Sequence, residues 1–162
     1  AVSPDGSVRL SPETGRVKVA ERYAKKLDCE VATIYKRRSL NAANEVEALG
    51  VMGDVNGRTC VIIDDMVDTA GTICAAVDTL TEHGAADVLC ATTHAVFSGP
   101  AVERLESSAL SRVVVTDTVP LPDSKRFDKL EVLSAAGILA DALESVFEDT
   151  SVSEIFDGEN HS

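Results

Sequence analysis

The residue types that could do chemistry in this chain are concentrated between Asp64 and Thr72. Two adjacent carboxylates, Asp64 and Asp65, follow the apolar run 60–63. Such a pair can accept hydrogen bonds from vicinal sugar hydroxyls or hold a hydrated Mg²⁺ ion. Residues 68–72 are short or hydroxyl-bearing and open a predicted helix, where backbone N–H groups and the positive helix end attract an anion. This order of groups predicts a cradle for a ribose phosphate.

The five residues of the predicted cradle have different expected roles. The hydroxyls of Thr69 and Thr72 can donate to an anion, and Gly71 permits close approach of the backbone. Asp68 is expected to contribute its backbone N–H or to orient the loop, because a carboxylate facing a phosphate would repel it. Ala70 would be strained at positive φ and harmless in a helical conformation, so we expect a small effect on affinity. The alternative is an ordinary Asp/Thr helix cap, which requires one such residue and not five.

A basic cluster, Lys36-Arg37-Arg38, follows a predicted strand. Alternate residues at a strand end face the same way, so Lys36 and Arg38 can share one face while Arg37 turns aside. Transfer of a phosphoryl group spreads negative charge over several oxygens, and cations aimed at that charge stabilise the transition state. Lys36 and Arg38 are therefore the candidate catalytic residues. The alternative is an exposed basic turn.

Composition limits the classes of function. The chain has 162 residues, 44% of them hydrophobic, which suits a single domain with one buried core. Its formal net charge of −12 disfavours binding of nucleic acid or an anionic membrane through a basic face. No run of 18 apolar residues and no signal-peptide pattern occurs, so we expect a soluble protein. Four cysteines without C-x-x-C spacing predict buried, reduced thiols and a cytoplasmic location: Cys29, Cys60, Cys74 and Cys90.

The elements that must position these groups alternate between helices and short apolar strands. This alternation predicts an α/β fold with a mostly parallel sheet flanked by helices. Strands are predicted at 30–35, 58–64, 88–93, 112–116 and 130–133. Helices are predicted around Val17 to Leu27 and at 72–83, 100–107 and 134–147. Residues 39–57 carry little strand signal and are predicted to be a mobile loop, with a short helix over 42–49 as an alternative.

For two histidines and one serine we predict a structural rather than a catalytic role. His94 lies in a strand-to-helix connection, where Thr93 or Ser98 could satisfy its ring. His83 precedes Gly84 and suits the negative end of a helix. Ser98 is predicted to cap the helix that follows it.

The run 60–72 resembles the phosphoribosyl-diphosphate signature of the type I phosphoribosyltransferase fold, which transferases and ribose-phosphate diphosphokinases share. Three further segments resemble the diphosphokinase family in order and spacing: 36–38, 93–101 and 116–121. The resemblance covers roughly residues 11–157. It identifies the chain as the carboxyl-terminal half of a member of that family.

The resemblance implies transfer of diphosphate from Mg-ATP to O1 of ribose 5-phosphate, giving phosphoribosyl diphosphate and AMP for nucleotide biosynthesis. It makes Mg²⁺ the expected cofactor and Lys36 the leading catalytic residue. The ending 151–156 is similar to the family's carboxyl terminus, where phosphate-activated bacterial members bind regulatory phosphate or ADP. Ser151, Ser153 and Phe156 are the residues that this similarity assigns to a regulatory site.

The amino terminus contains two similar sequences, Ser3-Pro4-Asp5 and Ser11-Pro12-Glu13. By resemblance, either Asp5 or Glu13 fills a metal-ligand position, whereas ordinary turns or helix caps explain both equally well. We expect residues 1–10 to be an extension or an insertion-bearing segment. Residues 11–157 would form the phosphoribosyltransferase-like domain, and 158–162 an acidic tail.

Members of the resembled family are much longer than this chain, and their amino-terminal half supplies much of the ATP site. The chain is therefore expected to form a homo-oligomer or to pair with an amino-terminal half, and its activity alone is uncertain from sequence. Two alternatives remain: a non-catalytic subunit that docks on a full-length synthetase, and a type I phosphoribosyltransferase that consumes phosphoribosyl diphosphate. The basic cluster at 36–38 and the ending at 151–156 argue against the transferase.

Overall fold

The computed structural model of the chain describes residues 8–11, 17–37 and 48–156. The strands in these ranges are β1 (Val8–Ser11), β2 (Glu30–Val31), β3 (Thr33–Arg37), β4 (Ala48–Met52), β5 (Thr59–Val67), β6 (Asp87–Ala95), β7 (Arg112–Thr116) and β8 (Leu130–Leu133). The α-helices are α1 (Val17–Leu27), α2 (Gly71–Glu82), α3 (Ala101–Ser107) and α4 (Ala136–Phe147). Short 3₁₀ helices span Asp123–Lys125 and Val152–Phe156.

Six strands form one sheet in the order β2-β1-β5-β6-β7-β8, and every neighbouring pair is parallel. The strands β3 and β4 form a separate antiparallel pair. The predicted α/β class with a mostly parallel sheet is confirmed. Parallel strands deliver their carboxyl ends to the same edge of the sheet, and ligands of such folds bind there.

The two faces of β5 pack against different helices. Cys60 and Ile62 are buried in the main core, on the face that α2 covers. Val61 and Ile63 point to the other face and pack against α1. The helix α2 is amphipathic, with an apolar stripe at i, i+3, i+4 and i+7 that faces the main core: Ile73, Ala76, Val77 and Leu80. Burial of a side chain such as Leu80 contributes roughly 1.5–3 kcal/mol.

The prediction of a mobile loop at 39–57 is wrong for its second half. Residues Ala48–Met52 form β4, and Gly50 lies opposite Tyr35 of β3. A Cβ atom at Gly50 would lie 2.6 Å from the ring of Tyr35, so the ring occupies the space that a side chain would need. The glycine that weakened the strand signal is thus a packing requirement of the strand pair.

Several predicted boundaries need correction. The predicted strand 30–35 is divided at Ala32 into β2 and β3. β5 continues to Val67, so the carboxylates of Asp64 and Asp65 lie inside the strand and not at its end. The boundary predicted between residues 10 and 11 falls within β1, so residues 8–10 belong to the sheet. Residues 1–7 and 158–162 lie outside the described ranges.

Other predictions agree with the structure. β7 and β8 have the predicted bounds, and α2 begins and ends one residue before the predicted helix. The ring nitrogen Nδ1 of His83 lies 2.7 Å from the carbonyl oxygen of Thr79. The backbone N–H of His83 donates to the same oxygen, so His83 closes α2 as predicted. None of the four cysteines forms a disulfide within the described residues; Cys60 and Cys90 are buried as predicted, whereas Cys29 and Cys74 are only partly buried. No helix in the described residues is long and apolar enough to cross a membrane.

Candidate functional site

The candidate site lies where β5 ends and α2 begins, at the carboxyl edge of the parallel sheet. Residues 68–72 connect the two elements and are called the anion loop below. The segment 96–98, which follows β6, runs beside it. The N–H groups of Val96 and Phe97 donate to the carbonyl of Val67, at 3.1 and 3.0 Å. The N–H of Ser98 donates to the carbonyl of Asp68 at 2.9 Å.

A third carbonyl of this stretch is held by a side chain. Arg104 of α3 donates from its NH1 nitrogen to the carbonyl of Thr69 at 2.9 Å. Three consecutive carbonyls, those of residues 67, 68 and 69, are therefore occupied by donors outside the loop. In a trans peptide the C=O and the following N–H point in opposite directions, so the N–H groups of residues 68, 69 and 70 face away from these donors.

These N–H groups and those of the first turn of α2 are available to a ligand. No residue in the described ranges accepts a hydrogen bond from the backbone N–H of residues 69–73. Such a row of convergent N–H groups at a helix N-terminus attracts anions. The alternative of an ordinary Asp/Thr cap is wrong, because the N-cap of α2 is Ala70 and makes no side-chain hydrogen bond.

Ala70 has the strained conformation that the sequence left open. Its φ is 61° and its ψ is 6°, in the left-handed region, and its side chain is buried at 4% exposure. A residue with a Cβ atom in this region costs roughly 1–2 kcal/mol relative to a right-handed conformation. The surrounding contacts therefore hold the loop in a shape that alanine alone would not favour.

The two adjacent carboxylates do not form a matched pair. Successive residues of a strand face opposite sides, so Asp64 shares the face of Cys60 and Ile62 while Asp65 shares the face of Ile63. The carboxylate Oδ1 of Asp64 accepts the N–H of Asp65 at 2.8 Å. Burial, together with the negative charge of Asp64, raises the pKa of Cys90 to about 12, so this thiol stays protonated at neutral pH.

A groove of about 210 Å³ runs past Asp64 and is lined by the threonines of the neighbouring strands. Thr92 lies opposite Asp64 in the β5–β6 register, and within the described residues its buried hydroxyl has no hydrogen-bond partner. Thr116 donates its hydroxyl to the carbonyl of Thr93 at 2.7 Å. Carboxylate and hydroxyl groups of this kind suit sugar hydroxyls.

A metal ion was predicted near the carboxylates, and the donors present fit a loosely held one. Mg²⁺ keeps several waters and is usually bound through one or two carboxylates and the substrate's phosphates. Asp64 provides an oxygen donor of this kind on the face of the groove, whereas Asp65 faces the other side of the strand. A cluster of three or more His, Cys, Asp or Glu side chains is absent from the described residues. The predicted ligands Asp5 and Glu13 lie outside those ranges.

The structure describes one of the two predicted catalytic cations by its backbone. Lys36 lies in β3, opposite Leu49 of β4, whereas Arg38 lies outside the described residues. The β3–β4 pair is fixed to the main core because Ile34 is buried there and Leu49 and Val51 pack against it. The strand that carries Lys36 thus has a defined position on the domain.

His94 is hydrogen-bonded, but to a residue that was not predicted. Its Nδ1 atom lies 2.8 Å from the hydroxyl of Thr118, and neither Thr93 nor Ser98 contacts its ring through a hydrogen bond. The Thr118 hydroxyl in turn lies 2.8 Å from that of Thr116. The prediction that Ser98 caps α3 through its side chain is wrong, since Pro100 is the N-cap and no side-chain cap bond forms.

The carboxyl-terminal segment carries the residues assigned to a regulatory site. The hydroxyl oxygens of Ser151 and Ser153 lie 2.6 Å apart and are hydrogen-bonded to each other, so one of the two O–H groups donates within the pair. Phe156 ends the second 3₁₀ helix. The regulatory role of the three residues stays a prediction.

Sequence reasoning missed two groups that shape this edge of the sheet. Arg104 lies 35 residues from the loop that it contacts, inside a helical pattern that gives no signal. Asp117 accepts the hydroxyl of Ser134 and the N–H of Ala135, both at 2.7 Å, and so caps the start of α4. These two hydrogen bonds, the backbone bond first, hold the pKa of Asp117 below its usual value of 3.8. Its Asp-then-helix spacing was too long to indicate a cap.

Comparison with known proteins places the chain in a family. The sequence profile of the "phosphoribosyl synthetase-associated domain" matches residues 39–157. A ribose-phosphate pyrophosphokinase of Streptomyces avermitilis is 51% identical over 148 residues, which is 91% of this chain and 46% of that protein. One of Bifidobacterium longum is 48% identical over 154 residues, 94% of this chain and 45% of that protein. The chain thus spans about half the length of these relatives.

Solved structures agree with the sequence comparison. The crystal structure of phosphoribosylpyrophosphate synthetase from Mycobacterium smegmatis matches with a TM-score of 0.80 and 44% identity, over 90% of this chain and 46% of that one. An adenine phosphoribosyltransferase ("APRTase") from Giardia lamblia matches with a TM-score of 0.55 at 14% identity, over 70% of each chain. The second match shows the fold alone, and it confirms the predicted type I phosphoribosyltransferase-like architecture.

Proposed function

Because the chain belongs to the phosphoribosyl synthetase-associated domain family, we propose that it is the carboxyl-terminal half of a ribose-phosphate diphosphokinase. Its relatives are named ribose-phosphate pyrophosphokinase, an enzyme of the transferase class. The proposed half carries the ribose 5-phosphate site. The observation that supports this most directly is the anion loop, whose carbonyls at residues 67–69 are held from outside while its N–H groups remain available.

The proposed substrate position follows the geometry of the loop. The 5-phosphate of ribose 5-phosphate binds the N–H groups of residues 69–73 and the hydroxyls of Thr69 and Thr72. Both hydroxyl-bearing side chains are exposed at the start of α2. The sugar hydroxyls lie toward Asp64, next to the buried hydroxyl of Thr92, which has no partner among the described residues. Asp68 contributes its backbone and keeps its exposed carboxylate away from the phosphate.

In the proposed reaction O1 of ribose 5-phosphate attacks the β-phosphorus of ATP. The new O1–P bond forms as the bond between the β-phosphorus and the α,β-bridging oxygen breaks, AMP leaves and the hydroxyl proton passes to solvent. Such a transfer depends mainly on positioning and on neutralising charge. Lys36 and Arg38 neutralise charge on the transferred group, and bound Mg²⁺ would neutralise charge on the ATP phosphates.

Regulation, assembly and location are part of the same proposal. Ser151, Ser153 and Phe156 bind regulatory phosphate or ADP, and the serine O–H that is not used in the bond between the two hydroxyls can donate to the anion. The chain acts as an oligomer or with an amino-terminal half that completes the ATP site. The four free thiols suit the reducing conditions of the cytoplasm.

The test follows AMP formation by chromatography from ATP, Mg²⁺, inorganic phosphate and ribose 5-phosphate. We expect AMP to depend on ribose 5-phosphate and Lys36→Ala to lower its rate by about 10²-fold or more. Lys26→Ala, on the exposed side of α1, is the matched control and should leave the rate unchanged. AMP formation that survives Lys36→Ala would contradict the assigned role.

Calorimetry with ribose 5-phosphate, and with ribose as a control, separates binding from catalysis. A chain that binds ribose 5-phosphate and forms no AMP would favour the second candidate, a non-catalytic subunit of a full-length synthetase. Co-purification with a full-length relative at micromolar concentration would then be expected. A chain that neither binds the sugar phosphate nor forms AMP would overturn the proposed site.

A further inference from the structure

Arg104 contacts the start of α2 in two ways. Its NH1 nitrogen donates to the carbonyl of Thr69 at 2.9 Å, and the same nitrogen lies 3.5 Å from where a Cβ atom at Gly71 would stand. The carbonyl of Arg104 accepts the thiol of Cys74 at 3.6 Å. Side chain and backbone of one residue thus join α3 to the anion loop and to the first turn of α2.

The contact of Arg104 with Thr69 determines the direction of the next N–H group. The carbonyl of Thr69 and the N–H of Ala70 belong to one trans peptide unit and point in opposite directions. When the guanidinium fixes the carbonyl, it also fixes the N–H of Ala70 on the side where an anion would bind. Within the described residues, Arg104 supplies the side-chain hydrogen bond to a carbonyl of the anion loop, and the other donors there are backbone N–H groups.

Ala70 makes this contact necessary rather than incidental. A non-glycine residue in the left-handed region persists when surrounding contacts hold it there. The peptide unit before Ala70 is the one that Arg104 holds, while the units before Thr69 and Asp68 are held by the segment 96–98. Without the guanidinium, the peptide unit between Thr69 and Ala70 loses its external donor and is free to rotate.

We infer that Arg104 is a positioning residue of the phosphate site, which holds the Thr69 carbonyl and thereby aims the N–H of Ala70 at the bound phosphate. The inference rests on the proposed function of the anion loop. A different explanation would be that Arg104 attracts the phosphate by its charge alone. Arg104 lies beside a solvent-open groove with Asp78, so salt can screen that charge. Salt dependence therefore separates the two explanations.

The first arm of the test needs no ligand. In ¹⁵N and ¹³C spectra of the chain, Arg104→Gln should shift the Thr69 carbonyl and the Ala70 amide. Arg112→Gln is the matched control, because Arg112 is an exposed arginine whose NH1 bonds Glu131 at 3.2 Å at the opposite edge of the sheet. The control should leave both resonances in place. Unchanged Thr69 and Ala70 resonances in Arg104→Gln would overturn the inference, whatever the chain binds.

The second arm measures affinity for ribose 5-phosphate by calorimetry at about 0.1 M and about 1 M salt. A positioning role predicts that Arg104→Gln weakens binding about tenfold at both salt concentrations, because hydrogen-bond geometry is not screened. A loss seen only at low salt, or no loss, would overturn the inference while wild-type binding still supports the proposed site. Absence of binding by the wild type would instead overturn the proposed site and this inference with it.

A second variant guards against a folding defect. Arg104→Lys keeps the charge and the aliphatic stem but lacks the planar guanidinium. It should shift the Ala70 amide and weaken binding by about threefold or more, with a melting temperature close to that of Arg112→Gln. Full affinity in Arg104→Lys together with a displaced Ala70 amide would contradict the link between carbonyl position and phosphate binding.

Discussion

The helices α2 and α4 each have 12 residues, yet the domain uses them in opposite ways. α2 buries five residues, and its stripe of Ile73, Val77 and Leu80 lies in the main core. α4 buries none of its residues, and its large apolar side chains are 55% exposed at Ile138 and 86% exposed at Phe147. The position of α2 is therefore determined within this chain, whereas the core contributes little to that of α4.

At their N-terminal ends the two helices differ in the opposite way, because the exposed helix α4 has the side-chain hydrogen bonds that the buried helix α2 lacks. The segment that leads into α4 is held by Asp117, whose carboxylate accepts the hydroxyl of Ser134 and the N–H of the N-cap residue Ala135. The first turn of α2 follows Ala70 without a side-chain cap, and the N–H groups of residues 71–73 have no acceptor in the described ranges. A helix that is fixed by its body can leave its start available for binding. A helix without such contacts depends more on its own cap.

The largest expected effect tests the difference in burial. Leu80→Ala removes a side chain with 0% exposure and should lower the free energy of unfolding by about 2–5 kcal/mol. Leu143→Ala, the matched change on α4, removes a side chain that is 60% exposed and should change it by less than about 0.5 kcal/mol. Urea denaturation followed by circular dichroism measures both. Equal losses would mean that the apolar face of α4 is covered in solution.

The next effect tests the strain at the start of α2. Ala70→Gly should raise the free energy of unfolding by about 1 kcal/mol, because glycine adopts φ near 61° without a steric penalty. Ala75→Gly, at an exposed interior position of the same helix, should lower it by about 1 kcal/mol. The two substitutions are chemically identical, so opposite signs in urea denaturation would isolate the backbone conformation of residue 70. Equal signs would argue against strain there.

A smaller and more local effect tests the cap of α4. Asp117→Ala removes both hydrogen bonds at the helix start, so the amides of the first turn of α4 should exchange with solvent several-fold faster. Exchange in α2 should be unchanged. Asp128→Ala, an exposed aspartate in the turn before β8, is the control. Hydrogen exchange followed by NMR reports both helices in one experiment, and uniform acceleration in both would count against a local cap.

The smallest effect is the pH dependence of the same cap. The pKa of Asp117 lies below its usual value of 3.8 in the folded state, because the Ala135 N–H and the Ser134 hydroxyl stabilise the carboxylate. A lowered pKa means that the stabilisation is present above pH 3.8 and is lost as the pH falls through the lowered value. The first-turn amides of α4 should then exchange faster at acid pH, corrected for intrinsic rates, and Asp117→Ala should remove this dependence.

The sequence predicted the parts of the fold that depend on local apolar patterns. β7 (Arg112–Thr116) carries β-branched residues at its last four positions and was predicted with its observed bounds. β4 was missed because Gly50, which accommodates the ring of Tyr35, interrupts the strand pattern. That requirement comes from a residue on another strand, and a local pattern does not contain it.

In the candidate site, too, local sequence patterns were predictable and long-range contacts were not. The anion loop was predicted because its small residues and the following helix are contiguous in sequence. The contact of Arg104 with Thr69 spans 35 residues, and the hydrogen bond of His94 to Thr118 spans 24. The conformation of Ala70 depends on such distant contacts, so the sequence left its φ open. Long-range hydrogen bonds, rather than residue types, decide the shape of the loop.

The carbonyls of residues 67–69 point toward segment 96–98 and Arg104, and this has a consequence for how the loop tolerates mutation. In the proposed site most of the groups that bind the phosphate belong to the main chain, so we expect the side chain of Asp68 to be replaceable by most residues with modest loss of binding, and Thr69 by serine. Proline is the exception, because it removes the N–H itself. In a substitution scan of the loop, we expect proline at residue 69 or 70 to abolish binding.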